Sequence, residues 1–255
     1  MPWQIFLTAL FTVLPIAVIL WYFYTRDVNR EPRVVLVKTF LLGLLGILPL
    51  MPIAILFSAL KPASLSITQA ALYEAFLIAA IPEEAIKLLV IRGYSARNAH
   101  FDEPMDGIVY GVTAALGFAA LENVFYVLEG GLHVALLRSF TAVPLHVVAG
   151  AILGNAVAQA KFGPARRGVL LNGFANAVAL HGLYDFALMA VEGLAVQPEV
   201  PGGSNAAGSI LGLIVLVLIL LIGSFVWLLR TVRRLRSHQL AEEYVRRTTR
   251  RSTQE

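Results

Sequence analysis

The chain contains no cysteine, which excludes disulfides, thiol catalysis and any Cys-ligated zinc or iron centre, and leaves the redox compartment undefined. Charge is scarce as well: 14% of the 255 residues are charged and 58% are hydrophobic, with a mean hydropathy of +0.75. That balance excludes an ordinary soluble domain and describes a polytopic membrane protein. No H-E-x-x-H zinc motif, no G-x-S-G with a downstream histidine, and no paired Y-D and G-x-G-D aspartates occur, so three familiar hydrolytic centres are absent. No internal repeat suggests a transporter built of inverted halves. A net charge of +4 and a pI near 9.5 would suit a nucleic-acid partner, but the basic residues lie in short loops and the tail, where they set membrane topology; no nucleic acid is expected.

What is present is a series of apolar segments, each about one bilayer thick. Residues 3–24 read as a first transmembrane helix and not a cleaved signal, since no basic residue precedes the run and Arg26, Arg30, Arg33 and Lys38 follow it. Residues 34–60 form a second span interrupted by Gly43, Gly46, Pro49 and Pro52, the prolines predicting a kink or break. A third span, about 70–91, includes Pro82, which frees the carbonyl of Ile78 just before two glutamates. Asp102 and Glu103 ahead of Pro104 read as an ordinary helix start for the fourth span, about 105–128. Spans five (139–160) and six (168–191) follow, and Gly150 and Gly154 in the fifth have the small-xxx-small spacing of close helix approach. A Gly/Pro-rich loop, 197–208, leads to a seventh span, 209–229, apolar all round and expected to be a lipid-facing anchor. The expected fold class is therefore all-α, a transmembrane bundle of about seven spans. Residues 1–230 form one unit, with the chemically interesting helices at about 70–191, and 231–255 form a basic tail.

The basic residues orient this bundle. With the N-terminus outside, 17 of the 20 Lys and Arg lie in inner loops or the tail, which alone holds eight arginines. Only Lys61 and Arg138 lie outside, and Lys87 is intramembrane. The C-terminus is then cytoplasmic, and the tail is most simply a topology anchor near anionic lipid.

Four consecutive spans, three to six, carry polar groups into the bilayer: Glu83, Glu84 and Lys87; Glu122 and Asn123; His146; His181 and Asp185. A charge at mid-depth costs about 2.5–3.5 kcal/mol on insertion scales, so such groups face a bundle interior. On a helix Glu83, Lys87 and Glu84 point to about 0°, 40° and 100°, placing the lysine between the carboxylates on one face. Singly, each residue has an ordinary reading: a lone Asn or His as an interhelical hydrogen bond, His181 with Asp185 as an i, i+4 pair, Glu83 with Lys87 as a neutralised ion pair. Together they suit attack of water on a carbonyl, in which a desolvated carboxylate takes a proton and returns it to a leaving amine. Histidines from separate helices can donate to the oxyanion, and Asp185 can orient His181.

The set Glu83-Glu84-x-x-Lys87, Phe118-x-x-x-Glu122-Asn123, His146 with Gly150, and His181-x-x-x-Asp185, in order on four helices, resembles the motifs of the PrsW-type intramembrane proteases. These are similar to the CAAX prenyl-protease and bacteriocin-processing superfamily. The stretch Asp102-Glu103-Pro104-Met105-Asp106-Gly107 with Tyr110-Gly111 resembles the start of this family's fourth helix. The resemblance spans residues 70–185. It implies an endopeptidase acting on membrane-anchored substrates in the bacterial cell membrane, the best-known role being the first cut of a single-span anti-sigma factor. It further implies that Glu83 and Glu84 act as base, that Glu122 shares water activation, and that His146 and His181 take oxyanion and orienting roles, without a metal cofactor.

Three other readings compete. The same protease can hold zinc through Glu122, His146, His181 and one of the paired glutamates. A proton- or cation-coupled carrier would also bury carboxylates and histidines. A catalytically silent scaffold is disfavoured by the intact set of Glu83, Glu84, Glu122, His146 and His181. From residue depth along each span, the centre is expected to open towards the extracytoplasmic face.

Overall fold

The structure is a computed structural model that describes residues 2–164, 167–195 and 206–252, and among them it is all-helical. The connection at 197–208 therefore lies mostly outside the described residues, as does Arg166. The first helix, α1 (Pro2–Arg26), is followed by α2 (Arg33–Leu45) and α3 (Ile47–Ala59), which together make one crossing. The interruption falls at Gly46, one of the four positions read from the sequence and three residues before the first proline. Pro49 cannot donate to the Leu45 carbonyl, so the ladder loses a bond upstream of the proline itself, and the Gly46 amide is shared between its regular partner, the Leu42 carbonyl, and the carbonyl of Gly43, a tightened last turn.

The third crossing starts earlier than expected, at Ile67, where Ser66 and Gln69 form a capping box. It consists of α4 (Ile67–Tyr73), a seven-residue π-helical stretch (Glu74–Ala80) and α5 (Ile81–Gly93). The Ile81 amide reaches back to the Phe76 carbonyl, five residues away. Pro82 has no amide to restore the tighter ladder, so the widened turn ends only where α5 begins. The loosening expected before the glutamates is thus a complete π stretch that delivers Glu83 and Glu84 into the first turn of a fresh helix.

The remaining helices are α6 (Pro104–Phe140), α7 (Ala142–Phe162), α8 (Val169–Ala195) and α9 (Ala206–Ser252). Among the described residues six helical segments are long and apolar enough to cross a membrane, and the charged Ile67–Gly93 segment corresponds to the further crossing expected from the sequence. Glu103 caps α6, with the Asp106 carboxylate accepting from the Asp102 and Glu103 amides at 2.7 and 2.8 Å. Within α6 Gly131 breaks the helix at φ 68°, ψ −152°, a left-handed region that favours glycine. After it the chain folds back as a short helical stretch where the sequence suggested only a loop. Ser139 there donates to the Phe11 carbonyl of α1 at 2.5 Å.

The centre of the bundle is α6 against α7, whose membrane segments are mostly buried, with α8 packed on α7. Glycines make this contact: a Cβ on Gly154 would lie 1.8 Å from the Gly107 carbonyl oxygen, and one on Gly111 would lie 2.2 Å from that of Gly150. The close approach read from the spacing of Gly150 and Gly154 is present. By contrast α1, α2–α3 and α9 expose most of their apolar surface, as expected of lipid-facing helices. α9 runs without a break from its apolar part through Arg230 into the basic segment.

Candidate active site

Each polar side chain singled out from the sequence projects into one place between α5, α6, α7 and α8. Glu83, Glu84 and Lys87 share a face of α5 and are buried. The Lys87 ammonium lies between the carboxylates as the helical angles require, 2.7 Å from Glu84 Oε1 and 3.3 Å from Glu83 Oε2. It also meets His146 Nδ1 of α7 at 2.9 Å and lies 4.5 Å from the centroid of the Phe118 ring. An ammonium only donates, so His146 Nδ1 accepts and its Nε2–H donates to Glu122 Oε2 at 2.7 Å. Both ring nitrogens of His146 are therefore engaged.

His181 of α8 stands edge-on to His146, with ring centroids 5.2 Å apart. Its Nδ1 is 2.7 Å from Glu84 Oε1, and its Nε2 is 3.1 Å from Asp185 Oδ2 and 3.8 Å from Glu83 Oε2. Asp185 thus orients His181 from one turn away, as the i, i+4 spacing suggested. Asn123 is buried and accepts from Arg138 Nε at 2.6 Å.

Arg138 is the residue that sequence reasoning missed. Counted as an outer-loop charge, it is carried back by the Gly131 break to place Nη2 2.9 Å from Glu122 Oε2, with its guanidinium stacked 3.9 Å over Tyr126. One signal was available: it is one of only two basic residues on the side of the bundle from which basic residues are otherwise missing. With it, four carboxylates (Glu83, Glu84, Glu122, Asp185) face two permanent cations. The balance must come from protons shared between carboxylates and His181, which is what a general acid–base centre needs. Glu122, Asp185 and Arg138 are the partly exposed members, with side chains 15%, 19% and 14% accessible, whereas Glu84 and Lys87 are wholly enclosed.

Glu83, Glu84, His146 and His181 each offer a ligand atom within 4.8 Å of the others, and Glu84 Oε2 is buried without a hydrogen-bond partner among the described residues. By donor type and spacing these four fit a zinc ion. Glu122, assigned to the zinc set from sequence, is outside this group. The Lys87 ammonium competes for the same space, since three of the four residues already bond to it.

Fold and site together define an integral membrane protein with a buried carboxylate–imidazole centre. Residues 31–223 match the profile described as PrsW family intramembrane metalloprotease. "Protease PrsW" of Geobacillus kaustophilus is 37% identical over 182 residues, covering 71% of this chain and 79% of that protein. The protein of the same name from Bacillus subtilis is 32% identical over 182 residues (70% and 81%), and that of Clostridioides difficile 30% over 188 (71% and 78%). No solved structure matches the chain. The chain belongs to the PrsW family of intramembrane proteases, and it is a protease of the membrane.

Proposed function

We propose that the chain hydrolyses a peptide bond of membrane-anchored proteins through water activated by Glu83 and Glu84, with Glu122, His146 and His181 as partners. The observation that carries this reading is the continuous bonded chain Glu122–His146–Lys87–Glu84–His181–Asp185 across four helices, every link 3.1 Å or shorter. Lys87 and His181 hold one oxygen of Glu84, and its free oxygen can position a water. Glu83, held less closely by the same groups, takes the proton as the water oxygen attacks the carbonyl carbon. The resulting oxyanion receives the N–H of His181 Nε2, which turns to it from Asp185 Oδ2, the longer of that ring's two bonds at 3.1 against 2.7 Å. As the C–N bond breaks, Glu83 returns the proton to the departing amine. His146 has no free N–H to offer an oxyanion in this arrangement and instead transmits the charge of Lys87 to Glu122. The substrate class is a single-span membrane protein, an anti-sigma factor being the candidate, and the location is the bacterial inner membrane.

A metal-dependent form of the same reaction is favoured by the family's description and by the ligand spacing of Glu83, Glu84, His146 and His181. A zinc ion there would polarise the carbonyl and acidify a bound water. Arguing for the metal-free form is the ammonium of Lys87 among those atoms.

The test is co-expression of single-span candidates with wild type, Glu83→Gln and Glu84→Gln, fragments being compared by mass spectrometry and bound metal measured in the purified proteins. Each variant should insert and accumulate normally while cleavage falls at least 1,000-fold, a loss of roughly 4 kcal/mol in transition-state stabilisation. Near wild-type turnover in either variant removes that residue from the base role. Stoichiometric zinc lost together with activity on chelation overturns the metal-free mechanism.

A further inference from the structure

A second group of carboxylates lies at the other end of α6. Asp27 and Glu31, in the connection from α1 to α2, and Asp106, in the first turn of α6, each bring an oxygen within 4.8 Å of the others, and all three are buried. Asp106 lies sixteen residues from Glu122, about 24 Å along the helix, so this group is separate from the candidate active site. One oxygen of each aspartate is committed: Asp27 Oδ1 accepts from Gln239 Nε2 at 2.7 Å and from the Asn29 amide at 3.1 Å, and Asp106 Oδ2 accepts the two α6 cap amides. Their other oxygens, Asp27 Oδ2 and Asp106 Oδ1, are buried and receive no N–H or hydroxyl donor among the described residues, although the Asp106 carboxyl lies in hydrogen-bonding contact with that of Glu31. Glu31 accepts a hydrogen bond from the Tyr110 hydroxyl.

No basic side chain forms an ion pair with any of the three among the described residues. Arg30 acts on Asp27 only at longer range, and Asp102 adds a further negative charge to both Asp27 and Glu31. Burial pushes the Glu31 carboxyl up to about 7 and raises that of Asp27. Helix capping explains the committed oxygens but not two buried ones that receive no such donor beside a third carboxylate. Buried carboxylates this close are stable only with a cation or shared protons.

We propose that Asp27, Glu31 and Asp106 bind a hard divalent cation that ties the α1–α2 connection to the start of α6. The donor set is entirely oxygen, which suits Mg²⁺, Ca²⁺ or Mn²⁺ over zinc. Gln239 extends the joint to α9. Its amide group donates to Asp27 and to Glu103 Oε1, at 2.7 and 2.6 Å, and its carbonyl oxygen accepts from the Val28 amide at 3.3 Å. The cation would therefore lock α1, α2, α6 and the basic extension of α9 together at one end of the bundle, away from the reacting groups.

The experiment uses the purified full-length chain in nanodiscs after EDTA treatment. Mn²⁺ binding is followed by electron paramagnetic resonance, and thermal unfolding is measured with Mg²⁺, Ca²⁺ or Mn²⁺ added. One Mn²⁺ per chain should bind in wild type and in Glu84→Gln, and the unfolding midpoint should rise with at least one of the cations. Glu31→Gln and Asp106→Asn should each weaken Mn²⁺ binding at least tenfold. Failure of wild type to bind Mn²⁺, or unchanged binding in Glu31→Gln, overturns the site. Loss of Mn²⁺ in Glu84→Gln places the ion in the active site and equally overturns it. Stabilisation by mild acid with no effect of any cation assigns the cluster to shared protons, which also overturns the proposal.

Discussion

Lys87 is the side chain on which the candidate active site turns, because among the described residues it alone hydrogen-bonds to all three of Glu83, Glu84 and His146. Removing the cation leaves buried carboxylates facing one another, a change that costs about 3–5 kcal/mol when one partner of a buried pair is lost. Lys87→Ala should therefore accumulate poorly and unfold at markedly lower temperature in detergent, whereas Lys87→Arg, which keeps the charge, should retain most of the stability. Equal expression and equal unfolding temperatures for the two variants would mean that the cluster is not a packed ion network. At this scale the sequence was highly legible. Glu83, Glu84 and Lys87 are neighbours by helical spacing alone, as are His181 and Asp185. Arg138 was not legible, since its contact with Glu122 depends on a backbone reversal at Gly131 that local pattern does not foretell. Asp106 was legible only in part. Its place in a helix start was readable, but its approach to Asp27 and Glu31 comes from packing between residues far apart in the chain.

At the scale of elements, the α6–α7 contact sets the distance between Glu122 and His146. Its glycines leave no room for a side chain: a Cβ on Gly154 already overlaps the Gly107 carbonyl, and one on Gly107 would lie 2.4 Å from the Gly154 oxygen. Both obstacles are backbone, which cannot swing aside. Gly154→Leu should force the helices apart and cost upwards of about 1–3 kcal/mol, the usual range for overpacking. The expected result is lower thermal stability together with reduced cleavage. Gly212→Leu on α9, where a Cβ meets nothing within 4 Å, is the control and should leave both unchanged. A stable, fully active Gly154→Leu protein would show that close helix approach does not set the site. Crossings were readable from apolar length, and so was the disturbance before Pro82. The interruption of the second span was readable too, Gly46 being one of its four candidate positions, whereas the helix beginning at Ile67 and the helical return after Gly131 were not, because each depends on where freed backbone groups find new partners.

For the whole molecule, the decisive question is the side from which the site is reached. Basic residues predict an outer N-terminus, which makes α6 run outward and α7 inward. Glu122 then lies near the outer end of α6, before the Gly131 break, and His146 lies just after the start of α7. Of the partly exposed groups, Arg138 bonds Glu122 at that end, and Asp185 lies one turn further along α8 than His181. The chain is naturally free of cysteine, so Glu122→Cys can be probed by membrane-impermeant thiol reagents without background. Labelling should occur from the extracytoplasmic side; labelling from the cytoplasm alone would reverse the orientation of access, and cleavage would then fall near the inner rather than the outer membrane boundary.

By itself the sequence determined the membrane class, the number and order of the crossings, and the eight polar residues that the bundle brings together. These follow from apolar length, the cost of burying charge and helical periodicity, all of which act locally along the chain. Tertiary structure alone decided which of them bond to which: that Lys87 spans Glu84 and His146, that Arg138 returns to Glu122, and that Asp27, Glu31 and Asp106 meet. Those contacts join separate helices, and their geometry is fixed by glycine packing and by interrupted backbone ladders, which no single segment contains.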